Sequence, residues 1–129
     1  MENTGMVIDT GIFIEYLRKS DKSKTILASL PNDAFLFVSA VTVYELMMGA
    51  TDLQKKNDVE TILEGIPILP FTNEVSLKAA EIYHNLRRRN LMIEFRDIFI
   101  AATCIVNDLP ITTLNTKHFD RIAELKISS

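Results

Sequence analysis

The chain has 129 residues, 47% hydrophobic, 24% charged and 8% aromatic, which fits one soluble globular domain over residues 1–129 and leaves no room for two. Fourteen Lys and Arg against 17 Asp and Glu give a formal charge of −3; this excludes the diffuse attraction of a polybasic nucleic-acid binder, so any nucleic acid must be held locally. The single Cys104 excludes an intramolecular disulfide and a thiolate zinc site, and suits a reducing compartment.

The first residues carry neither a basic segment nor a long apolar stretch, unlike a signal peptide. The longest apolar run, Ile98 to Val106, is broken by Thr103 and is too short to span a bilayer. A cytoplasmic protein without a membrane segment is expected.

Met6-Val7-Ile8 is a short apolar run closed by Asp9-Thr10-Gly11, the pattern of a buried strand that ends in a turn. Ile12, Phe13, Ile14, Tyr16 and Leu17 then cover one side of a helix, which runs out in Arg18-Lys19-Ser20, where basic residues suit a carboxyl terminus. A second helix is expected over Ser23 to Leu30, before a turn at Pro31-Asn32-Asp33. Ala34-Phe35-Leu36-Phe37-Val38 lacks alternation and reads as a second strand covered on both faces, as in a parallel sheet. Val41 to Met48 is almost continuously apolar, a buried helix with Gly49 where a left-handed cap would stand. Leu53 to Leu63 is polar and weakly amphipathic, and Gly65 to Phe71 reads as a third strand whose prolines suit a sheet edge.

Asn73 is placed to cap the next helix, along which Val75, Ala79, Ile82, Tyr83 and Leu86 form one stripe before Arg87-Arg88-Arg89. Glu94 to Val106 is apolar nearly all round, an interior helix. Ile111-Thr112-Thr113 is the fourth strand, Lys117 to Leu125 a closing helix and Lys126-Ile127 a brief fifth strand. Strands alternating with helices predict an α/β layer fold with a mainly parallel sheet of about five strands flanked by helices.

In such sheets, functional groups collect beyond the carboxyl ends of the strands, near the point where strand order reverses. Asp9 closes the first strand, Glu45 sits in the apolar helix, Asp97 opens the interior helix and Asn115 follows the fourth strand. Each has a purely structural alternative: Asp9 as a helix cap, Asp97 as a first-turn acid answering the helix dipole, with Arg96 pairing to a neighbouring acid. Glu45 is harder to explain that way, because a buried carboxylate needs a cation, a donor or a proton. Three converging carboxylates would repel unless a divalent ion neutralised them. The donors are hard oxygens, with no His or Cys cluster, so the expected ion is Mg²⁺ or Mn²⁺.

Val7-Ile8-Asp9-Thr10, Tyr44-Glu45-Leu46 with Gly49, Asp97-Ile98-Phe99-Ile100-Ala101-Ala102, and Thr113-Leu114-Asn115 with Phe119 resemble, in order and spacing, the motifs of PIN-domain nucleases, and among them VapC-type toxins of prokaryotic toxin–antitoxin pairs. The resemblance covers essentially the whole chain. It implies a three-layer PIN-like fold, Mg²⁺- or Mn²⁺-dependent endoribonuclease activity on an RNA substrate, frequent homodimers and a small cognate antitoxin. Asp9, Glu45 and Asp97 match the acidic metal ligands, and Thr10 and Thr113 match hydroxyl residues beside the site. At the fourth position many members have Asp where this chain has Asn115, one charge fewer for a second metal.

With a metal lowering the pKa of bound water toward about 7, no Ser or His nucleophile is needed. His84 and His118 therefore read as bystanders, Cys104 as a core residue, and Met47 and Met48 as packing. Of the basic groups, Arg18, Lys19, Lys22 and Lys24 read as a solvated helix end; Arg87, Arg88, Arg89 and Arg96 are the candidate RNA contacts. The competing reading, which Asn115 keeps open, is a catalytically weak PIN-like module that binds RNA or a protein partner. Gly11 stands where a haloacid-dehalogenase phosphatase needs its second Asp, and no phosphate-binding Gly-Lys-Ser/Thr loop or dinucleotide fingerprint occurs. A phosphoryl-accepting receiver domain is excluded as well, since Asp9-Thr10 lacks its acidic pair. A mean hydropathy of +0.13 in so short a chain adds to the expectation of a buried self-interface.

Overall fold

The computed structural model describes residues 5–128; residues 1–4, on which the expectation of no leader partly rests, lie outside them. The elements run β1 (Met6–Ile8), α1 (Thr10–Arg18), a 3-10 turn (Lys22–Lys24), α2 (Ile26–Ser29), β2 (Leu36–Ser39), α3 (Ala40–Gly49), α4 (Leu53–Leu63), β3 (Ile68–Leu69), α5 (Asn73–Arg88), α6 (Phe95–Val106), β4 (Ile111–Thr112) and α7 (Thr116–Phe119).

The sheet has order β3-β2-β1-β4, every pair parallel, with Val7 opposite both Phe37 and Ile111. Among the described residues it has four strands rather than about five: the expected fifth is reduced to a single parallel bridge between Ile111 and Ile127. Chain order reverses between β1 and β4, which makes the end of β1 the switch point where ligands collect in open α/β sheets.

Along β1, successive side chains enter opposite layers. Val7 joins Val75, Ala79, Ile82, Leu86, Ile98, Ile100 and Phe119 on the face covered by α5, α6 and the carboxyl-terminal segment. Met6 and Ile8 join Ile12, Phe13, Val38, Leu46 and Val59 on the face covered by α1, α3 and α4. That two-sided burial is why the strands read as unbroken apolar runs. The α5 stripe is buried as expected at Val75, Ala79, Ile82 and Leu86, and β3 is an edge strand framed by Pro67 and Pro70.

Several local expectations are corrected. No turn separates β1 from α1: Thr10 and Gly11 already belong to the helix. The helix expected over Ser23 to Leu30 breaks at Thr25, which is extended (φ −94°, ψ 158°) and caps α2 through its hydroxyl. Gly49 is the last residue of α3 rather than a left-handed cap, and Ala50 follows at φ −88°. Among the described residues left-handed φ falls instead at Gly65, after α4, and at Asn90 and Asp108, just after α5 and α6, where Leu91 N–H reaches back to Leu86 and Leu109 N–H to Cys104. Thr72, not Asn73, caps α5, since its hydroxyl reaches the Val75 amide at 3.2 Å. The closing helix stops at Phe119 instead of Leu125. Beyond it, buried Phe119, Ile122 and Leu125 recur every third residue, served by successive i→i−3 bonds from Ile122 to Phe119 and from Leu125 to Ile122, a period that suits tight turns better than an α-helix.

Candidate active site

Asp9 stands at the carboxyl end of β1, and its carboxylate is fixed from two sides. Its Oδ1 accepts the Thr10 amide at 2.8 Å and its Oδ2 accepts the Thr113 hydroxyl at 2.6 Å. Thr113 Oγ1 in turn accepts the Asn115 amide at 3.0 Å, so one hydroxyl ties the end of β1 to the loop after β4. The capping role is real, yet it does not exhaust Asp9, which is 7% exposed. Burial pushes its carboxyl above the ordinary range, the Thr113 and Thr10 bonds oppose this, the nearby Glu45 charge adds to it and Arg96 opposes it.

Glu45 projects from α3 with its side chain 11% exposed. The donor and the cation that a buried carboxylate requires are both present: Thr10 Oγ1 donates to Oε1 at 2.7 Å, and Arg96 Nη1 pairs with Oε2 at 3.2 Å. The other arm of Arg96 grips Glu94 Oε1 at 2.7 Å. Thr10 is itself the last step of a hydroxyl chain. Ser39 Oγ, the cap of α3, accepts the Thr42 amide at 3.1 Å and donates to Thr42 Oγ1 at 3.2 Å. Thr42 Oγ1 lies 2.9 Å from Thr10 Oγ1. Because Thr10 spends its proton on Glu45, Thr42 must donate to Thr10, and the chain runs one way toward the carboxylate.

Asp97 lies in the first turn of α6 with 14% of its side chain exposed. Burial is the main cause that lifts its carboxyl to about 6; the Asp9 charge adds to this, Arg96 opposes it, Glu94 adds and His118 opposes. Asn115 Nδ2 is 2.8 Å from His118 Nδ1, and that ring nitrogen is 3.9 Å from Asp97 Oδ2.

Asp9, Glu45, Asp97 and Asn115 thus line one cleft of about 490 Å³, together with Thr10, Glu94, Arg96 and His118. Among the described residues no three His, Cys, Asp or Glu side chains are drawn together around one ion-sized point. Both Glu45 oxygens are engaged, Oε1 by Thr10 and Oε2 by Arg96. The donor chemistry still fits a hard divalent cation: carboxylate and amide oxygens, with the Asp97 carboxyl lifted partly by the Asp9 charge and the Asp9 carboxyl partly by that of Glu45.

The sequence model of the PIN domain matches residues 6–125. The Ribonuclease VapC of Rickettsia bellii is 32% identical to this chain over 130 residues, covering 95% of this chain and 94% of its own length. This chain belongs to the VapC family of PIN-domain proteins. Ribonuclease VapC1 of Methanocaldococcus jannaschii is 28% identical over 123 residues, covering 95% of this chain and 85% of its own. In fold, this PIN-domain chain is similar to one from the crystal structure of VapBC2 from Rickettsia felis bound to a DNA fragment from their promoter, with a TM-score of 0.85 at 22% identity over 96% of this chain and 97% of that one.

Of the candidate residues outside the acids, Thr10, Thr113 and Arg96 are in or against the cleft. Arg87, Arg88 and Arg89 are not. Arg87 Nη1 reaches Tyr83 Oη at 3.5 Å, Arg89 Nη1 holds Asn85 Oδ1 at 2.8 Å and the Arg121 carbonyl at 2.9 Å, and Arg88 borders a separate depression with His84 and Glu124. Cys104 is fully buried, and burial pushes its thiol up, consistent with a core role. Sequence reasoning set His118 aside, though it lines the cleft, and passed over Ser39, Thr42 and Glu94. The Ser39-to-Thr42 spacing, the N-cap pattern at a strand-to-helix junction, was the available signal.

Proposed function

We propose that this PIN-domain protein is a Mg²⁺- or Mn²⁺-dependent endoribonuclease, the toxin of a type II toxin–antitoxin pair. The observation that carries the reading is the meeting of Asp9, Glu45 and Asp97, far apart in sequence, in one cleft at the sheet's switch point with Asn115 at its rim. Asp9, Glu45 and Asp97 would hold the cation. Such an ion supplies a polarised phosphoryl oxygen and water activated at neutral pH. Thr113 orients Asp9 and Thr10 orients Glu45, each through a bond of 2.6 or 2.7 Å, short enough to fix the carboxylate in one rotamer. Asp97, its carboxyl lifted to about 6 chiefly by burial, is mostly ionised at neutral pH, the form in which it would hold a cation. Asn115 positions substrate at the rim, and His118 is a donor for a phosphate oxygen.

The test is cleavage of structured RNA by the purified protein with Mg²⁺, with Mn²⁺ and with EDTA. Products are expected with either ion and none with EDTA; no metal-dependent product at any concentration would instead support a module that binds RNA or protein without cutting.

In this reading Arg96 meets phosphate at the cleft, and Arg87, Arg88 and Arg89 track phosphates further along α5. Replacing these last three by Ala is expected to lower the slope of log affinity against log salt by about 2, since each lost contact with single-stranded RNA removes about 0.7. Fluorescence anisotropy across a KCl series reads this, and an unchanged slope returns the three to ordinary surface. Nothing among the described residues is a helix long and apolar enough to cross a membrane. Two protein partners complete the proposal. One is a small antitoxin, by analogy with the VapBC complex of similar fold. The other is a second copy of the chain, meeting exposed Tyr44, Met48, Phe71 and Phe95.

A further inference from the structure

We propose that Arg96 is a built-in competitor of the divalent cation, an intramolecular counter-ion that must leave Glu45 before a metal can coordinate Oε2. This rests on the metallonuclease reading of the cleft. Arg96 is the second residue of α6, immediately before Asp97. One arm of its guanidinium pairs with Glu45 Oε2 at 3.2 Å and the other with Glu94 Oε1 at 2.7 Å. Glu45 Oε1 accepts the Thr10 hydroxyl from within the protein, so Oε2, held only by Arg96, is the oxygen that a cation would take once Arg96 leaves. The guanidinium charge also acts on Asp9 and Asp97, lowering both carboxyls, and in this way balances all three acids. A dication on Glu45 Oε2 would stand next to the guanidinium, and the two positive charges repel in a partly desolvated cleft.

Glu94 determines where the released side chain goes. Its own side chain is 63% exposed, that of Arg96 is 56% exposed and that of Glu45 only 11%. Breaking the inner contact while keeping the outer one swings Arg96 toward the cleft mouth, where solvent and a phosphate backbone are within reach. Cation entry and delivery of Arg96 to RNA are thereby one exchange.

Mn²⁺ binding to the full chain, followed by the electron paramagnetic resonance signal of free Mn²⁺ without RNA, tests this directly. Arg96→Gln is expected to tighten Mn²⁺ binding by about fivefold, the equivalent of removing a partly exposed ion pair. Arg96→Lys keeps the charge but loses the two-armed grip, and is expected to fall between that variant and the natural chain. Affinity unchanged or weakened in Arg96→Gln, with circular dichroism showing a folded protein, overturns the proposal alone. Arg96→Lys binding identical to the natural chain overturns it too, because charge without the strap would then suffice. Absence of saturable Mn²⁺ binding in all three chains overturns the metallonuclease reading together with the competitor.

Discussion

Asp97→Asn is expected to reduce metal-dependent RNA cleavage by about a thousandfold or more while raising the melting temperature measured above pH 7. The two effects have opposite signs because one carboxylate has two energetic roles. Burial and the Asp9 charge lift the Asp97 carboxyl from 3.8 to about 6, so the folded protein binds this proton more tightly than the unfolded chain does. A raised carboxyl destabilises the fold in its ionised form: the cost is absent below about pH 4, grows as the pH rises through 6, and is complete above it. Discounted for the solvent that reaches the cleft, the cost is about 1 kcal/mol, or about 4 °C in a domain of this size. The amide keeps the shape and removes the charge. Melting curves from pH 4 to 8 should therefore converge at the acid end, separate in favour of the variant as the pH rises from 4 to 6, and keep a constant gap above that. Added Mn²⁺ should reverse the order by stabilising the chain that still holds the ion. Cleavage undiminished in Asp97→Asn would remove this residue from the site.

That prediction was legible in the sequence only in outline. An acid at the start of an apolar helix and another inside one pose a burial problem whatever the fold, and in this way Glu45 and Asp97 stood out. What answers the problem is tertiary. Ser39 and Thr42 are common residues at a strand-to-helix junction, and only the packing of α1 against α3 brings the Thr42 hydroxyl to Thr10, whose own hydroxyl reaches Glu45. His118 lies three residues after Asn115, the residue that precedes α7, and this i,i+3 spacing sets its imidazole beside the Asn115 amide.

The fold was easier to read where burial is two-sided or strictly periodic. β1, β2 and the α5 stripe belong to that class, because hydrophobic pattern alone decides them. Chain termination was harder. Gly49 resembles a left-handed cap, but its helix ends without left-handed backbone, while Asn90 and Asp108 adopt it and so turn the following Leu91 and Leu109 amides back to the Leu86 and Cys104 carbonyls. Asn and Asp tolerate that conformation better than other side chains except Gly, a preference too weak to mark a position in advance. The fifth strand is a single bridge, Ile127 opposite Ile111, reached directly from the tight turns that bury Ile122 and Leu125.

Phe119→Ala is expected to show the largest loss of stability, about 3–5 kcal/mol, out of a total of about 5–15 kcal/mol for a domain of ordinary stability. α7 is four residues long and has no side-chain cap bond, far below the length at which a helix sustains itself. Its place is therefore set by tertiary contact, and Phe119, fully buried among residues of α5, α6 and β4, is its anchor. Removing the ring leaves a cavity against elements too well packed to collapse into it. Asn115 precedes this helix and His118 lies within it, whereas Asp9, Glu45 and Asp97 are carried by β1, α3 and α6. Urea unfolding should thus show a large fall in midpoint, and in the fraction still folded the His118 imidazole resonances should lose the signature of their bond to Asn115 before the acids are disturbed. Phe119→Leu, which refills much of the space, should recover most of both. A loss under about 1 kcal/mol in Phe119→Ala would mean that the Thr113 bonds to Asp9 and Asn115 hold this corner of the cleft by themselves, and that the site supports its own scaffold rather than resting on the core beneath it.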